Sequence, residues 1–138
     1  MNKIPVVFTF DKRIILGAAV SIKSMIDHAL PTTVYDIYVY HPDIKDKTIK
    51  HFEKMLDGTD HTITFEYLDG SRFDDVPINT RSGWVVTFFR LLIPELLPQY
   101  DKVIYSDVDV LFTADMWEVY NDDLTNYEFG WKADLMDG

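Results

Sequence analysis

Short apolar runs separated by segments of helical period constrain this chain more than any other feature of it. "IPVVFTF", residues 4–10, is apolar at almost every position and rich in Val and Phe, with no helical spacing. A strand that is apolar on both faces must be covered on both faces, the situation of a parallel sheet flanked by helices. After Asp11, Ile15, Ala18, Ala19, Ile22, Met25 and Ile26 recur at three- and four-residue steps, which predicts a helix ending before Pro31. "VYDIYVY", 34–40, reads as a second strand. Ile44, Thr48, Ile49, Phe52, Met55 and Leu56 return to helical spacing, with Gly58 placed as a C-cap. "HTITFEYL", 61–68, alternates Ile63, Phe65 and Tyr67 with polar residues and reads as a third strand.

The second half is less regular. Residues 69–83 carry turn chemistry throughout. Trp84 to Ile93 is apolar on nearly all sides and reads as a buried helix ending near Pro94. Lys102–Ser106 is a fourth strand, Asp115–Tyr120 one or two helical turns, and Tyr127–Ala133 a fifth strand. The order β-α-β-α-β-loop-α-β-β predicts an α/β fold, a Rossmann-like, mainly parallel sheet with flanking helices, in a single domain over residues 1–138. Ligands of such sheets bind beyond the carboxyl ends of the strands. Asp11 follows the first strand and Asp107 to Asp109 follow the fourth, so the fold puts both acidic points on one edge.

Composition narrows what that edge can bind. The formal net charge of -10 argues against a nucleic-acid partner, which needs clustered Lys and Arg. It leaves room for an anionic ligand held through a metal, because a bound cation reverses the local electrostatics. The chain has no cysteine, so disulfide and thiolate chemistry are excluded. The N-terminal apolar run stops at Asp11, too short for a secretory leader, and no stretch reaches the roughly 18 apolar residues of a membrane span. The cytoplasm is the expected location. The four histidines at 28, 41, 51 and 61 have no metal spacing and read as surface or core residues.

"KVIYSDVDVLF", 102–112, sets two carboxylates against apolar neighbours. On extended backbone, residues i and i+2 share a face, so Asp107 and Asp109 can converge on one point. Adjacent carboxylates repel unless a positive charge sits between them. A hard divalent cation, Mn²⁺ or Mg²⁺, suits such oxygen ligands and lets substrate phosphates complete its shell. A solvated turn of two acids accounts for the pattern as well as a metal clamp does. A calcium loop fails, with Leu111 at its fifth position and Phe112 where glycine is required. A haloacid-dehalogenase-like phosphatase also begins with strand-D-x-D, but continues with a small pair where this chain has Val110-Leu111.

The longer stretch "FRLLIPELLPQYDKVIYSDVDVLF" closely resembles glycosyltransferase family 8, the retaining enzymes that include lipopolysaccharide galactosyl- and glucosyltransferases and glycogenin. The match runs through Arg90-Leu91-Leu92-Ile93-Pro94, then Pro98, then Asp101-Lys102-Val103-Ile104-Tyr105 and the D-x-D. The opening "IPVVFTFD…GAAVSIKSMI" resembles the family's first strand, aspartate and a helix with a Ser near its end, and "WKADLMDG" resembles a later strand ending in an aspartate. The resemblance implies the GT-A type nucleotide-diphospho-sugar transferase fold and retaining hexosyl transfer from a UDP-sugar to a saccharide or protein acceptor. It implies Mn²⁺ on Asp107 and Asp109, bridging to the donor diphosphate, and a backbone contact of Val108 with the ribose. It implies that Asp11 reads the uracil, whereas the residues alone also allow an N-cap. Where the family usually has Asn and an aromatic residue against the base, this chain has Arg13 and Ile14.

Arg90 lies in an apolar helix, where a guanidinium needs a carboxylate or a ligand as partner. The resemblance puts it at the donor sugar. Asp134 matches the aspartate near sugar and acceptor, and reads equally as a strand-end turn residue. The family's downstream His ligand, its Gln or Asp at the reacting carbon and its Gly-x-x-K have no counterpart here, so the expectation is a truncated chain carrying the donor-binding half. The alternative is a non-catalytic α/β module or inactive remnant, with oligomerisation as the way to cover an exposed apolar surface.

Overall fold

The computed structural model describes residues 1–68 and 93–122. The elements are β1 (Asn2–Thr9), α1 (Ile15–Asp27), β2 (Thr33–His41), α2 (Asp46–Met55), β3 (Thr62–Tyr67), α3 (Ile93–Leu96), β4 (Ile104–Tyr105) and α4 (Trp117–Tyr120). The strands form one sheet in the order β3-β2-β1-β4. All three neighbouring pairs are parallel, with β1 and β2 in register from Asn2 opposite Thr33 to Thr9 opposite Tyr40. This is the expected α/β architecture.

β1 is central, and its side chains are used on both faces. Ile4, Val6, Phe8 and Phe10 join Tyr35, Ile37 and Val39 of β2 under α1 and α2. Val7 points the other way and packs with Tyr40, Leu68, Ile93 and Leu97. The unbroken apolar run thus has the two-sided burial that its composition requires. α1 contributes Ala18, Ile22, Met25 and Ile26, the stripe predicted from its spacing. α2 contributes Phe52, whose ring lies 5.8 Å from Phe10 and 5.3 Å from Phe65. Burying each such side chain contributes on the order of 2 kcal/mol.

Several details depart from expectation. Lys12–Ile14 forms a 3₁₀ turn ahead of α1, because the Asp11 side chain caps it by accepting the Arg13 N–H. On β3, Ile63 and Phe65 are half-buried but Tyr67 is 67% exposed, since the strand is at the sheet edge and its packing ends with the helix above it. The helical turn Ile93–Leu96 runs through Pro94 rather than stopping there, and the Leu97 N–H closes it on the Ile93 carbonyl at 2.9 Å. Proline lacks a donor, but its carbonyl and those before it still accept. The rest of the helix expected over 84–93, and the strand expected over 127–133, lie outside the described residues.

β4 is also shorter than the expected Lys102–Ser106. Only Ile104 and Tyr105 pair with β1, opposite Val6 and Val7, and one further bond runs from Ser106 N–H to the Val7 carbonyl at 3.1 Å. Beyond it Val108 and Phe112 turn into the main core, which draws the chain off the sheet.

Candidate functional site

Among the described residues the strand order reverses at one place. Two β-α-β units step from β1 to β2 to β3, and the chain then returns to put β4 on the other side of β1. At such a reversal the connections leave on opposite faces and a crevice opens beyond the carboxyl ends of the two strands. Asp11 stands two residues past the end of β1, and Asp107 two residues past the end of β4. The fold therefore sets the two acidic points picked from sequence beyond the ends of neighbouring strands, on one edge of the sheet.

The D-x-D does not sit on extended strand, as its alternation suggested, but in the turn that leaves β4. Val108 is 9% exposed and anchored in the core, while Asp107 and Asp109 on either side are exposed. Burying the middle residue leaves the flanking pair at the surface.

Supporting groups hold this turn from both sides. Thr9 Oγ1 lies 3.0 Å from Tyr105 Oη, which in turn donates to Asp107 Oδ1 at 3.4 Å. Either hydroxyl of the Thr9–Tyr105 pair can be the donor. Ser24 of α1 accepts the Phe112 N–H at 2.9 Å while donating to the Ser21 carbonyl at 2.6 Å. The Phe112 ring meets Phe8 edge-on at 6.4 Å. Further on, Asp115 accepts from the N–H groups of Leu30 and Trp117 and from the Thr33 hydroxyl, and Tyr35 Oη accepts the Met116 N–H at 3.0 Å. Thr9, Tyr105, Asp115 and Ser24 in this supporting role were missed from sequence. The signal available for Tyr105 was its position two residues before Asp107.

Asp11 is 4% exposed and caps the 3₁₀ turn, as the alternative reading of the sequence allowed. Both its oxygens are taken by Arg13, through the backbone N–H at 2.9 Å, Nε at 3.0 Å to each oxygen, and Nη2 at 2.6 Å. The Arg13 side-chain bonds hold the carboxyl below the usual carboxylate range against the opposing effect of burial. Arg90 and Asp134 lie outside the described residues.

Asp107 and Asp109 fit a hard cation as far as two carboxylates can. Both are exposed, and Asp109 has no ion pair or hydrogen bond among the described residues. No group of three or more His, Asp or Glu side chains comes together among those residues, so a cation here would need ligand oxygens to fill its shell. A separate cleft of about 450 Å³ between α1 and α2 is lined by Ile15, Leu16, Phe52 and Met55 and includes none of these carboxylates.

Comparison with known proteins agrees with the geometry. The model of the family "Glycosyl transferase family 8" matches residues 5–135. The chain is 22% identical over 130 residues to glycosyltransferase GlyF of Streptococcus pneumoniae, covering 94% of the chain and 31% of that protein. It is 35% identical over 91 residues to glycosyltransferase 8 domain-containing protein 1 of Xenopus laevis, covering 60% of the chain and 24% of that protein. Among solved structures it resembles the galactosyltransferase LgtC, crystallised with donor and acceptor sugar analogues, with TM-score 0.76 and 27% identity over 88% of the chain and 43% of LgtC. The chain thus spans less than half the length of each of these proteins. The family match also separates the two D-x-D families, phosphatase and glycosyltransferase, that share the strand-end motif. With the family model running through β1, the D-x-D turn and beyond, this chain belongs to glycosyl transferase family 8.

Proposed function

We propose that this chain carries the donor-binding part of a retaining hexosyltransferase, one that takes a UDP-sugar as donor and a saccharide or protein as acceptor. The observation that supports the reading is that Asp11 and the Asp107–Asp109 pair follow the neighbouring parallel strands β1 and β4, at the same edge of the sheet. Asp107 and Asp109 would hold Mn²⁺ or Mg²⁺ beside the diphosphate. When bound, such an ion neutralises charge that builds on the departing nucleoside diphosphate. The chain's own part is to aim the two carboxylates outward, which the buried Val108 and the Thr9–Tyr105 hydroxyl pair support. The Val108 backbone meets the ribose. Arg90 and Asp134 serve the donor sugar and the acceptor side, on the strength of the motif alone.

Thermal unfolding of the purified chain tests this directly. UDP and Mn²⁺ together should raise the midpoint more than either does alone, because only the combination completes the shell. A ligand at a hundred times its Kd stabilises by about 2.7 kcal/mol. Asp107→Asn should abolish the joint effect while leaving the unliganded midpoint nearly unchanged, since Asp107 is exposed. Equal stabilisation of wild type and variant would refute the metal clamp.

A further inference from the structure

Asp11 and Arg13 form a unit in which only one partner faces solvent. The Asp11 side chain is 5% exposed and that of Arg13 is 55% exposed. A guanidinium has five N–H groups, and the grip on Asp11 uses the one on Nε and one of the two on Nη2. The two on Nη1 and the second on Nη2 remain, along an edge turned away from the carboxylate. The solvent-facing chemistry at the end of β1 is therefore that of a positively charged donor. An unpaired aspartate would have presented a negatively charged acceptor there. Turning Asp11 outward to accept from a ligand would strip a buried carboxylate of its counter-charge, the costliest rearrangement at a buried ion pair. Asp11 also caps the 3₁₀ turn through the Arg13 backbone N–H, which fixes where the Arg13 side chain starts.

We propose that Arg13, aimed by Asp11, is the group that meets the donor nucleotide at this corner, donating to its acceptor oxygens, and that Asp11 is a positioning residue. The inference rests on the donor-nucleotide reading above. It reverses the hydrogen-bond polarity of the contact that the D-x-D family pattern implied for Asp11. The acceptor is an oxygen of a nucleoside diphosphate, either a base carbonyl or a phosphate oxygen, and both suit a guanidinium edge.

Calorimetric titration of UDP in the presence of Mn²⁺ separates the two polarities, because they predict opposite signs for one variant. Arg13→Ala should weaken UDP binding by roughly tenfold or more, the usual cost of losing a charge-assisted hydrogen bond. Its unliganded thermal midpoint should fall, because the buried Asp11 carboxylate loses its counter-charge, so binding is compared at a temperature where both proteins are folded. In the Arg13→Ala background, adding Asp11→Asn should cost no more than about a further twofold, as additivity fails for a residue acting through its neighbour. Arg13→Lys keeps the charge and loses the fork, so it should fall between wild type and Arg13→Ala. Should Arg13→Ala bind UDP as tightly as wild type or tighter, the freed Asp11 carboxylate is the reader and the inference is overturned, with the donor-nucleotide reading intact. Absence of Mn²⁺-dependent UDP binding by wild type overturns both. Competition by uridine and by inorganic pyrophosphate against UDP assigns the oxygen. Arg13→Ala should lose sensitivity to uridine if Arg13 meets the base, and to pyrophosphate if it meets the diphosphate; retained sensitivity to both counts against the proposal.

Discussion

One hydroxyl ties the D-x-D turn to the helix behind it. Ser24 Oγ takes the Phe112 N–H, a backbone donor just past the exposed Asp107–Asp109 pair. Ser24→Ala leaves that N–H without a protein acceptor, and the expected cost is about 1–2 kcal/mol. Urea unfolding at unchanged slope would show it as a lower midpoint, and an unmoved midpoint would mean that water replaces the hydroxyl. At this scale the sequence was legible where chemistry is intrinsic to a residue type. Two carboxylates spaced i, i+2 in an apolar run announce themselves whatever surrounds them. Ser24 did not, because a serine on a helix is ordinary until something distant leans on it. The Arg13–Asp11 grip was equally hidden. Nothing in D-K-R distinguishes a guanidinium folded back on its neighbour from one extended into water, as the choice depends on how deeply β1 buries the carboxylate.

Among the elements, α2 and its exit were read closely and β4 was not. Gly58 was placed as the residue that ends the helix, and it takes the left-handed conformation at φ 79°. A Cβ built there meets nothing within 4 Å, so Gly58→Ala should cost only the conformational penalty, about 1 kcal/mol. A loss well beyond that in chemical denaturation would mean that the turn repacks rather than strains. Helix ends are legible because glycine's backbone freedom is a local property. Strand ends are less so. β4 stops after Tyr105 because Val108 and Phe112 find the core under α1, and the Ser24 hydroxyl holds the segment there. The Ser24 partner comes from 88 positions away, so the apolar string "KVIYS" carries no mark of where pairing ends.

The whole molecule carries a pH response that no single element shows. His41, at the end of β2, accepts the Ile44 N–H on Nδ1 at 2.9 Å, and His61 accepts the Tyr35 N–H on Nδ1 at 3.0 Å. An Nδ1 that accepts puts the proton of a neutral ring on Nε2, and protonation would destroy both bonds. Burial holds both histidines below the ordinary value of 6.5. The unfolded chain then binds more protons than the folded one, so their contribution is fully present above pH 6.5 and is lost as pH falls through the lowered folded values. Unfolding midpoints should drop between pH 7.5 and pH 5, and the His41→Gln/His61→Gln double variant should flatten that slope. A wild-type midpoint that is level over this range would show that neither ring's neutrality matters. By itself the sequence determined the α/β class, the helix stripes, the two-sided burial of β1 and the acidic pair, since each follows from side-chain type and short-range period. Only the tertiary structure decided that β4 lies beside β1, that Val108 turns inward so that its neighbours face out, and that Asp11 is already occupied by Arg13. Those outcomes depend on which distant surfaces compete for the same side chain, and the most favourable burial wins over the local pattern.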